Sequence, residues 1–151
     1  MYKFRATVPK FIHYGFPMYV RWHSRKRRSQ KFFMGEWLNE EGSDMHWAAI
    51  LVETVHIDSK PAQRHLAYLG GIVESAITFA AQRRYFWNSV YERLDQLATQ
   101  ITTDDRRRIE TAVALKVPRL SREEHEASVA DYYSLWPEGG GSPQPPYREP
   151  T

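Results

Sequence analysis

The spacing of apolar residues changes at Gly70-Gly71, and this change constrains the fold more than any other feature of the sequence. Before the two glycines, apolar and polar residues alternate with the period of two that strands require. After them, apolar residues recur every three or four positions, as on one face of a helix. Because strands come first and helices second, the sequence predicts an α+β fold, with a glycine pair that permits the abrupt change.

Three strands are predicted before the glycines. They cover residues 19–25 (YVRWHSR), 47–57 (WAAILVETVHI) and 63–69 (QRHLAYL). The second is rich in Ile, Val, Thr and Trp, and the first and third alternate between two faces. The segment GEWLNEEGSD, residues 35–44, has the composition of a loop, and DSKPA, residues 58–62, that of a turn. We therefore expect a three-stranded antiparallel sheet.

The alternation also predicts which side chains face away from the core. In the first strand, the outer face holds Tyr19, Arg21, His23 and Arg25, opposite Val20, Trp22 and Ser24. In the third strand, one face holds Gln63, His65, Ala67 and Leu69, and the other holds Arg64, Leu66 and Tyr68. If Gln63 and His65 point outward beside Arg21 and His23, the sheet presents a polar, basic surface.

Three helices are predicted after the glycines. The first covers about 72–100, the second is capped by Thr102 or Thr103 and ends at Pro118, and the third begins with the capping box SREE and ends at Pro137. Together with the sheet they form a single domain, residues 1–136, made of a basic arm and β-meander (1–70) and a helical part (71–136). Residues 137–151 hold five Pro and three Gly and predict a flexible tail.

Apolar periodicity assigns a buried stripe to two of the helices. On the first helix the stripe includes Phe79, Trp87, Val90 and Leu94, and on the third it is Val129, Tyr132 and Trp136. Four other side chains of the first helix are predicted on its surface: Arg83, Arg84, Tyr85 and Tyr91. These exposed aromatics are candidates for contact with a partner.

Positive charge is concentrated near the start of the chain. Residues 1–35 contain nine Lys or Arg and no acid, whereas residues 36–58 contain six acids and no Lys or Arg. An acid-free basic segment suits a polyanion, because each neutralised phosphate releases counterions. Alternatively, the acidic block folds against the basic one and cancels its field. Both interpretations remain open at this point.

The candidate nucleic-acid-binding residues follow from this charge pattern. Phosphate contacts are assigned to Arg21, Arg25, Lys26, Arg27, Arg28, Lys31 and Lys60. Contacts to bases or backbone are assigned to Gln63, Arg64 and His65. In the other interpretation, the run of arginines is a solvated loop and the hairpin simply completes the sheet.

Catalysis and metal binding have little support in the sequence. There is no cysteine, which excludes disulfides, thiolate metal sites and cysteine catalysis. The six histidines lack the spacing of zinc hydrolases. Asp44, Asp58 and Lys60 resemble the acid, acid-x-lysine set of metal-dependent nucleases, but DSK lies in a turn and not on a core strand. We therefore expect neither an enzyme nor a cofactor.

Residues 19–72 resemble the N-terminal DNA-binding segment of bacterial insertion-sequence transposases. The residues that match are Arg21, Arg25, Glu53, Lys60, Gln63, Arg64, Leu69 and Gly70. Ser59 stands where that pattern usually has Gly, and the chain is too short to hold the catalytic domain of those enzymes. The resemblance therefore implies DNA binding without catalysis. The rest of the chain is similar to small proteins of unassigned activity in α-proteobacterial genomes and mobile elements.

These observations predict a cytoplasmic protein that binds nucleic acid, with duplex DNA favoured over RNA, as an accessory factor of a bacterial or mobile-element system. No stretch has the length of a membrane span or the apolar centre of a secretory signal. The alternative is a protein-interaction module of a phage or mobile element, such as an inhibitor or subunit of a nucleoprotein complex. Its contacts would be the helical aromatics and the acidic segment 36–44.

Overall fold

The computed structural model describes residues 18–26, 29–33, 36–40 and 45–151. Its elements confirm the predicted α+β order. The strands are β1 (Met18–Lys26), β2 (Ser29–Phe33), β3 (Glu36–Glu40), β4 (Met45–Ile57) and β5 (Lys60–Val73). A 3₁₀ turn (Glu74–Thr78) leads into the helices α1 (Ala80–Gln96), α2 (Thr103–Ala114) and α3 (Arg122–Ser134).

The main sheet has three antiparallel strands in the order β1-β4-β5, so β4 is central. β2 and β3, which lie between β1 and β4 in the chain, pair with each other and form a separate two-stranded sheet. The prediction of a loop at 35–44 is therefore wrong over Glu36–Glu40. Trp37 and Leu38 favour a strand, but the prediction gave more weight to the loop-favouring residues of the same segment, Gly35, Asn39 and Gly42 among them.

The hairpin between β4 and β5 turns through only two residues. Asp58 and Ser59 have φ values of 52° and 67°, the left-handed conformation that tight hairpin turns require. Pro61 already belongs to β5. It is tolerated there because β5 is an edge strand and the missing N–H costs no ladder bond on its outer side.

Two irregularities in β5 change which side chains reach the core. The register runs from Leu51↔Ala67 to Val52↔His65 and from Ala49↔Gly70 to Ile50↔Tyr68, which leaves Leu66 and Leu69 without a partner on β4. Regular alternation places Leu66 and Leu69 on opposite faces, yet both contact the core. Each extra residue reverses the alternation that follows it, so the predicted facing holds as far as Leu66 and is wrong for Ala67, Tyr68 and Leu69.

The helices cover one face of the sheet. Val20 and Trp22 of β1, Leu51 of β4 and Leu69 of β5 pack with the apolar residues of α1 and α2. At Gly70 the helix comes so close that an added Cβ would lie 3.3 Å from the Phe86 ring. A glycine at this position therefore allows the close packing of α1 on β5.

The glycine pair does not end the strand as predicted. β5 continues to Val73, the 3₁₀ turn follows, and α1 begins at Ala80 instead of Ile72. Ile72 is 5% exposed and belongs to the core from within the strand. Ile72 happens to lie at a helical spacing from the apolar residues that follow, which is why the helix was predicted to begin there.

The surface predicted for α1 is partly buried. Arg84 is 1% exposed, Arg83 8% and Tyr91 7%, whereas Phe79, assigned to the stripe, is 62% exposed. The reason is that α3 packs against α1 with polar residues. Ser128 accepts a hydrogen bond from Arg84. Apolar periodicity cannot detect a helix face that is buried through polar pairing.

Both short helices begin with capping boxes; the sequence predicts the one at α3 and, at α2, a cap by Thr102 or Thr103. At α2, the Thr102 side chain accepts a hydrogen bond from the Asp105 amide, and the Asp105 carboxylate accepts one from the Thr102 amide. At α3, Ser121 and Glu124 exchange the same pair of bonds. The stripe predicted for α3 is inaccurate, because the residues it buries are His125 and Ser128, and Trp136 is 48% exposed.

Replacing Thr102 with alanine is expected to lower the free energy of unfolding by about 1 kcal/mol, because it leaves the Asp105 amide uncapped. Urea denaturation measures the change. Thr99→Ala, in the exposed turn before α2, is the matched control and should leave the midpoint unchanged. Equal effects of the two substitutions would contradict a capping role for Thr102.

The Pro/Gly-rich segment 137–151, predicted from composition to be a flexible tail, follows an extended path along the helices. The side chain of Gln144 accepts a hydrogen bond from Arg84, and Arg148 forms two hydrogen bonds with the carboxylate of Asp95, at 3.1 and 2.7 Å. Further on, Thr151 donates to Glu110 at 2.6 Å. Polar contacts hold this segment, and its composition contains no apolar pattern that would predict them.

Arg148 determines much of the acidity of Asp95. Its hydrogen bonds are the main reason that the pKa of Asp95 lies below its ordinary value, and Arg106 adds to the effect. A carboxyl with a lowered pKa stabilises the fold above its ordinary pKa and loses that contribution as the pH falls through the lowered value. In Arg148→Ala we expect the pKa of Asp95 to rise towards the ordinary value, as an NMR pH titration would measure. Arg107→Ala, which removes a guanidinium that pairs with Asp104, is the control and should not change the pKa of Asp95.

Among the described residues, none of the helices has the length and apolar character needed to cross a membrane.

Candidate nucleic-acid interface

The face of the sheet opposite the helices carries polar and aromatic side chains. We call it the open face and define it by Tyr19, Arg21, His23, Arg25, Gln63, His65 and Tyr68, all of which are exposed. The strand registers place them in rows across β4: Tyr19 and His65 flank Val52, and Arg21 and Tyr68 flank Ile50. The prediction that Tyr19, Arg21, His23 and Arg25 face away from the core is thus confirmed.

Gln63 joins the two outer strands across the central one. Its side-chain carbonyl accepts a hydrogen bond from Arg21 at 3.0 Å, and its amide group donates to the hydroxyl of Tyr19. Because β4 lies between β1 and β5, both bonds pass over it, and Val52 of β4 is only 1% exposed. The bridge fixes the orientation of the Arg21 guanidinium at the surface, which lowers the entropy lost when it binds an anion.

Among the residues whose side chains the structure describes, no carboxylate lies on the open face to balance its charge. Within residues 18–26 and 45–151, Arg21, Arg25 and Lys26 take part in no ion pair with an acid. The two carboxylates of the hairpin lie elsewhere: Glu53 faces the helix side and Asp58 is in the turn. A surface with cations and no acid produces a positive field that attracts phosphates.

The arginines of the helices are used differently. Arg83 pairs with Glu124 at 2.8 Å, and Arg106 contacts both Asp95 and Glu110, at 3.0 and 3.1 Å. The amide of Ser121, with Arg83, holds the pKa of Glu124 below its ordinary value. These cations stabilise contacts between helices, so most of the helical charge is already neutralised.

Tyr68 is a residue of the open face that sequence reasoning missed. Alternation placed it opposite Gln63 and His65, and the irregularity at Leu66 brings it to their face. Gly71 makes room for it: an added Cβ there would overlap the Tyr68 hydroxyl and lie 2.8 Å from His46. The glycine pair was a possible signal, since glycine within a strand often marks a close approach of another group.

Some predicted contact residues come together and others do not. Arg21, Arg25, Gln63 and His65 lie on the open face, whereas Lys26, the exposed last residue of β1, follows Arg25 and so has the opposite facing. Arg64 faces the helix side and pairs with Glu53, although its side chain is 62% exposed. That pairing separates it from the open face, because adjacent residues of a strand point to opposite faces.

Lys60 lies at the far end of the sheet. It pairs with Ile57, while Lys26 pairs with Met45. These two positions on β4 are about 40 Å apart at the usual rise of a strand. The hairpin tip and the end of β1 therefore do not form one basic corner. Lys31 belongs to β2, and Arg27 and Arg28 lie outside the described residues, as do residues 41–44 of the acidic segment.

The described residues contain no group of three or more His, Asp or Glu side chains arranged to hold a metal ion. Asp58 lies exposed at the hairpin tip, and Asp44 lies outside the described residues. No protein-family model matches this chain, and no curated protein or solved structure matches it.

Proposed function

We propose that this protein binds nucleic acid through the open face of its sheet, with duplex DNA as the first candidate. In this proposal it is a cytoplasmic accessory protein of a bacterial or mobile-element system. The observation that supports it most is the set of cations on β1, Arg21, Arg25 and Lys26, which form no ion pair within the described residues while the helical arginines mostly do. The resemblance to transposase DNA-binding segments points the same way.

The dimensions of the sheet are compatible with a DNA groove. Neighbouring strands are about 4.8 Å apart, so the outer strands β1 and β5 are about 10 Å apart. The major groove of B-DNA is about 12 Å wide and admits β-ribbons. Tyr19 to Arg25 extend over about 20 Å along β1. Side chains from such a surface can reach base edges while those at its margins contact phosphates.

The roles of individual residues follow from their chemistry. Arg21, Arg25 and Lys26 contact phosphates, because guanidinium and ammonium groups donate to phosphate oxygens. Gln63 and His65 contact base edges. The amide of Gln63 holds both a donor and an acceptor in its bridge to β1, the same pair of groups that recognises adenine. A base contact by Gln63 breaks its bridge to Arg21 and Tyr19, so the fixed orientation of Arg21 favours phosphate binding in the encounter that precedes base contact.

A polarisation titration tests the proposal. Labelled duplex DNA, single-stranded DNA and RNA of equal length are titrated with the protein at 0.05 M and 0.2 M salt, concentrations that span a range of about 10³–10⁵ in affinity for strongly electrostatic complexes. We expect binding at low salt that weakens steeply at the higher concentration. Absence of binding to all three ligands at low salt would falsify the proposal.

The alternative function, a protein-interaction module, gives a different result in cells. A defined protein that co-purifies after nuclease treatment, together with absence of binding in the titration, supports the alternative. A partner that is lost on nuclease treatment supports nucleic-acid binding.

Nuclease activity is tested separately. Divalent-dependent cleavage that Asp58→Ala abolishes would overturn the view that the protein is not an enzyme.

A further inference from the structure

A groove on the helical side holds the end of the described chain. We call it the tail groove and define it by Arg84, Tyr91, Arg119, His125, Tyr132 and Tyr133, which lie beneath or beside residues 142–148. A cavity of about 20 Å³ remains beneath this segment, lined by both the groove and Pro146, Tyr147 and Arg148. The tail groove is on a different surface from the open face and contributes nothing to the function proposed above.

The tail groove binds main-chain groups of the segment. The hydroxyls of Tyr132 and Tyr133 accept hydrogen bonds from the amides of Ser142 and Gln144, both at 2.9 Å. Arg119 donates to the carbonyl oxygen of Arg148 at 2.8 Å. Main-chain contacts do not depend on side-chain identity, so the same donors and acceptors can bind another extended segment.

The segment is rich in proline, and the groove that holds it is lined by aromatic side chains. The segment has Pro143, Pro145 and Pro146 around Gln144, and proline favours an extended conformation with little entropy left to lose. Tyr147 packs edge-on against His125, with ring centres 5.5 Å apart. Grooves lined by aromatic rings are a recurring way to bind proline-rich chains.

The segment does not satisfy the polar atoms of the groove. Among the described residues, four buried atoms of the groove have no well-aligned hydrogen bond: Tyr91 Oη, Arg119 Nε, Arg119 Nη1 and His125 Nε2, although the Arg119 guanidinium lies close enough to the Tyr91 hydroxyl to lower its pKa. Tyr91 and His125 are only 7% and 8% exposed. Burial raises the pKa of Tyr91 to about 12, so its hydroxyl remains a donor. Unpaired buried donors are costly, and a ligand with suitable acceptors would remove that cost.

Two arginines of the groove also lack an acidic partner. Arg84 is 1% exposed and bonds to Ser128, at 2.8 Å, and to the neutral side chain of Gln144. Arg119 stacks near the rings of Trp87 and Tyr91, at 5.5 and 5.3 Å. Neither forms an ion pair within the described residues. Buried guanidinium groups bind carboxylates more strongly than neutral amides.

We infer that the tail groove is a docking site for an extended, proline-rich segment of a partner protein that carries a carboxylate where this chain has Gln144. The carboxylate pairs with Arg84, and further acceptors of the partner engage Arg119 and Tyr91. In the free protein, residues 142–151 occupy the groove as a weaker internal ligand. The partner must displace them, so its affinity depends on how firmly they are held.

The test uses the full-length protein and a fluorescein-labelled peptide of residues 142–151 in its Gln144→Glu form. Anisotropy is measured with the wild-type protein and with the protein carrying Gln144→Ala and Arg148→Ala, which removes two side-chain contacts that hold the internal segment. We expect the peptide to bind the double variant about tenfold more tightly than the wild type. The peptide with the native Gln144 should bind about tenfold more weakly than its Glu form.

Groove variants locate the peptide. In the background of the double variant, Arg119→Met and Tyr91→Phe should each weaken peptide binding about fivefold or more. Tyr91→Phe retains the ring and removes only a hydroxyl with no well-aligned hydrogen bond, so the fold is kept and its stability should not fall. Tyr68→Phe, which removes an exposed tyrosine hydroxyl on the sheet and away from the tail groove, is the matched control and should leave peptide binding unchanged.

Three results would overturn the inference. They are equal peptide affinity of the wild type and the double variant, loss of peptide binding on Arg21→Ala, and concentration-dependent dimers of the double variant in place of peptide binding. The second would show an acidic peptide attracted to the open face, and the third would show exchange of the segment between two copies of this chain. Nucleic-acid binding is expected to be the same in Arg119→Met as in the wild type, so the two proposals fail separately.

Discussion

Replacing Trp87 with alanine is expected to lower the free energy of unfolding by about 3–5 kcal/mol, the usual cost of deleting a buried tryptophan side chain. Trp87 is 3% exposed, its ring lies against Phe86 and Tyr91, and its indole N–H donates to the Val117 carbonyl at 3.1 Å. The substitution leaves a cavity and an unpaired carbonyl at the point where α1 meets the segment after α2. Urea denaturation followed by circular dichroism measures the change.

Leu115→Ala is the control for this prediction. Leu115 is 86% exposed, so its truncation should change the free energy of unfolding by no more than about 0.5 kcal/mol. If Trp87→Ala were as mild as Leu115→Ala, the helices would not pack around Trp87 as described. The arrangement of α1 against α2, and with it the covered face of the sheet, would then be incorrect.

The triple substitution of Arg21, Arg25 and Lys26 by alanine is expected to have the largest effect on function. If each residue contacts one phosphate, the slope of log affinity against log salt should fall by about 2.7 for duplex DNA. With the affinities of the variant and the wild type taken as equal at 1 M salt, this difference in slope corresponds to a loss of about 500-fold in affinity at 0.1 M salt. Stability should change little, because none of the three is in an ion pair within the described residues and all are exposed.

A second triple variant separates a local interface from general charge. Arg93, Arg107 and Arg108 lie on α1 and α2 and are exposed, so replacing them with alanine removes the same net charge from the helical side. We expect this variant to retain most of the affinity and the salt slope. Equal losses in both variants would mean that net charge alone drives binding and that the open face has no special role.

The outline of the fold could be predicted because two periodicities are visible in the sequence. The alternation of residues 19–25 identified β1 and its outer face. A cap at Thr102 or Thr103 and the capping box at Ser121 located the starts of α2 and α3. Each of these signals depends on residues close together in the chain. A structure favoured by nearby residues is retained in the fold when tertiary contacts favour the same structure.

The errors arose where distant residues decide the outcome. The facing of Tyr68 depends on extra residues in β5 that exist only relative to β4. The burial of Arg84 depends on Ser128 and Gln144, which lie 44 and 60 positions later in the chain. A single sequence contains no periodic trace of such pairings, so a buried arginine looks the same as a surface one.

The same limit applies to the candidate interface. Arg21 and Gln63 were each chosen for their chemistry, but the bond between them depends on β4 lying between their strands. Arg64 was chosen with Gln63 because the two are adjacent, and the sheet places them on opposite faces. Residue type is the basis on which we propose a nucleic-acid partner, and register decides which residues can act together.

The order of pairing in the main sheet has a consequence for how the protein assembles. β4 and β5 are joined by two residues, whereas β1 reaches β4 only after the excursion through β2 and β3. Contacts between close neighbours in the chain form sooner, so the β4–β5 hairpin precedes the docking of β1. The open face therefore exists only once β1 is in place. A ligand that bridges Arg21 and Gln63 would slow hydrogen exchange in β1 more than in β5, because it holds the last strand to arrive.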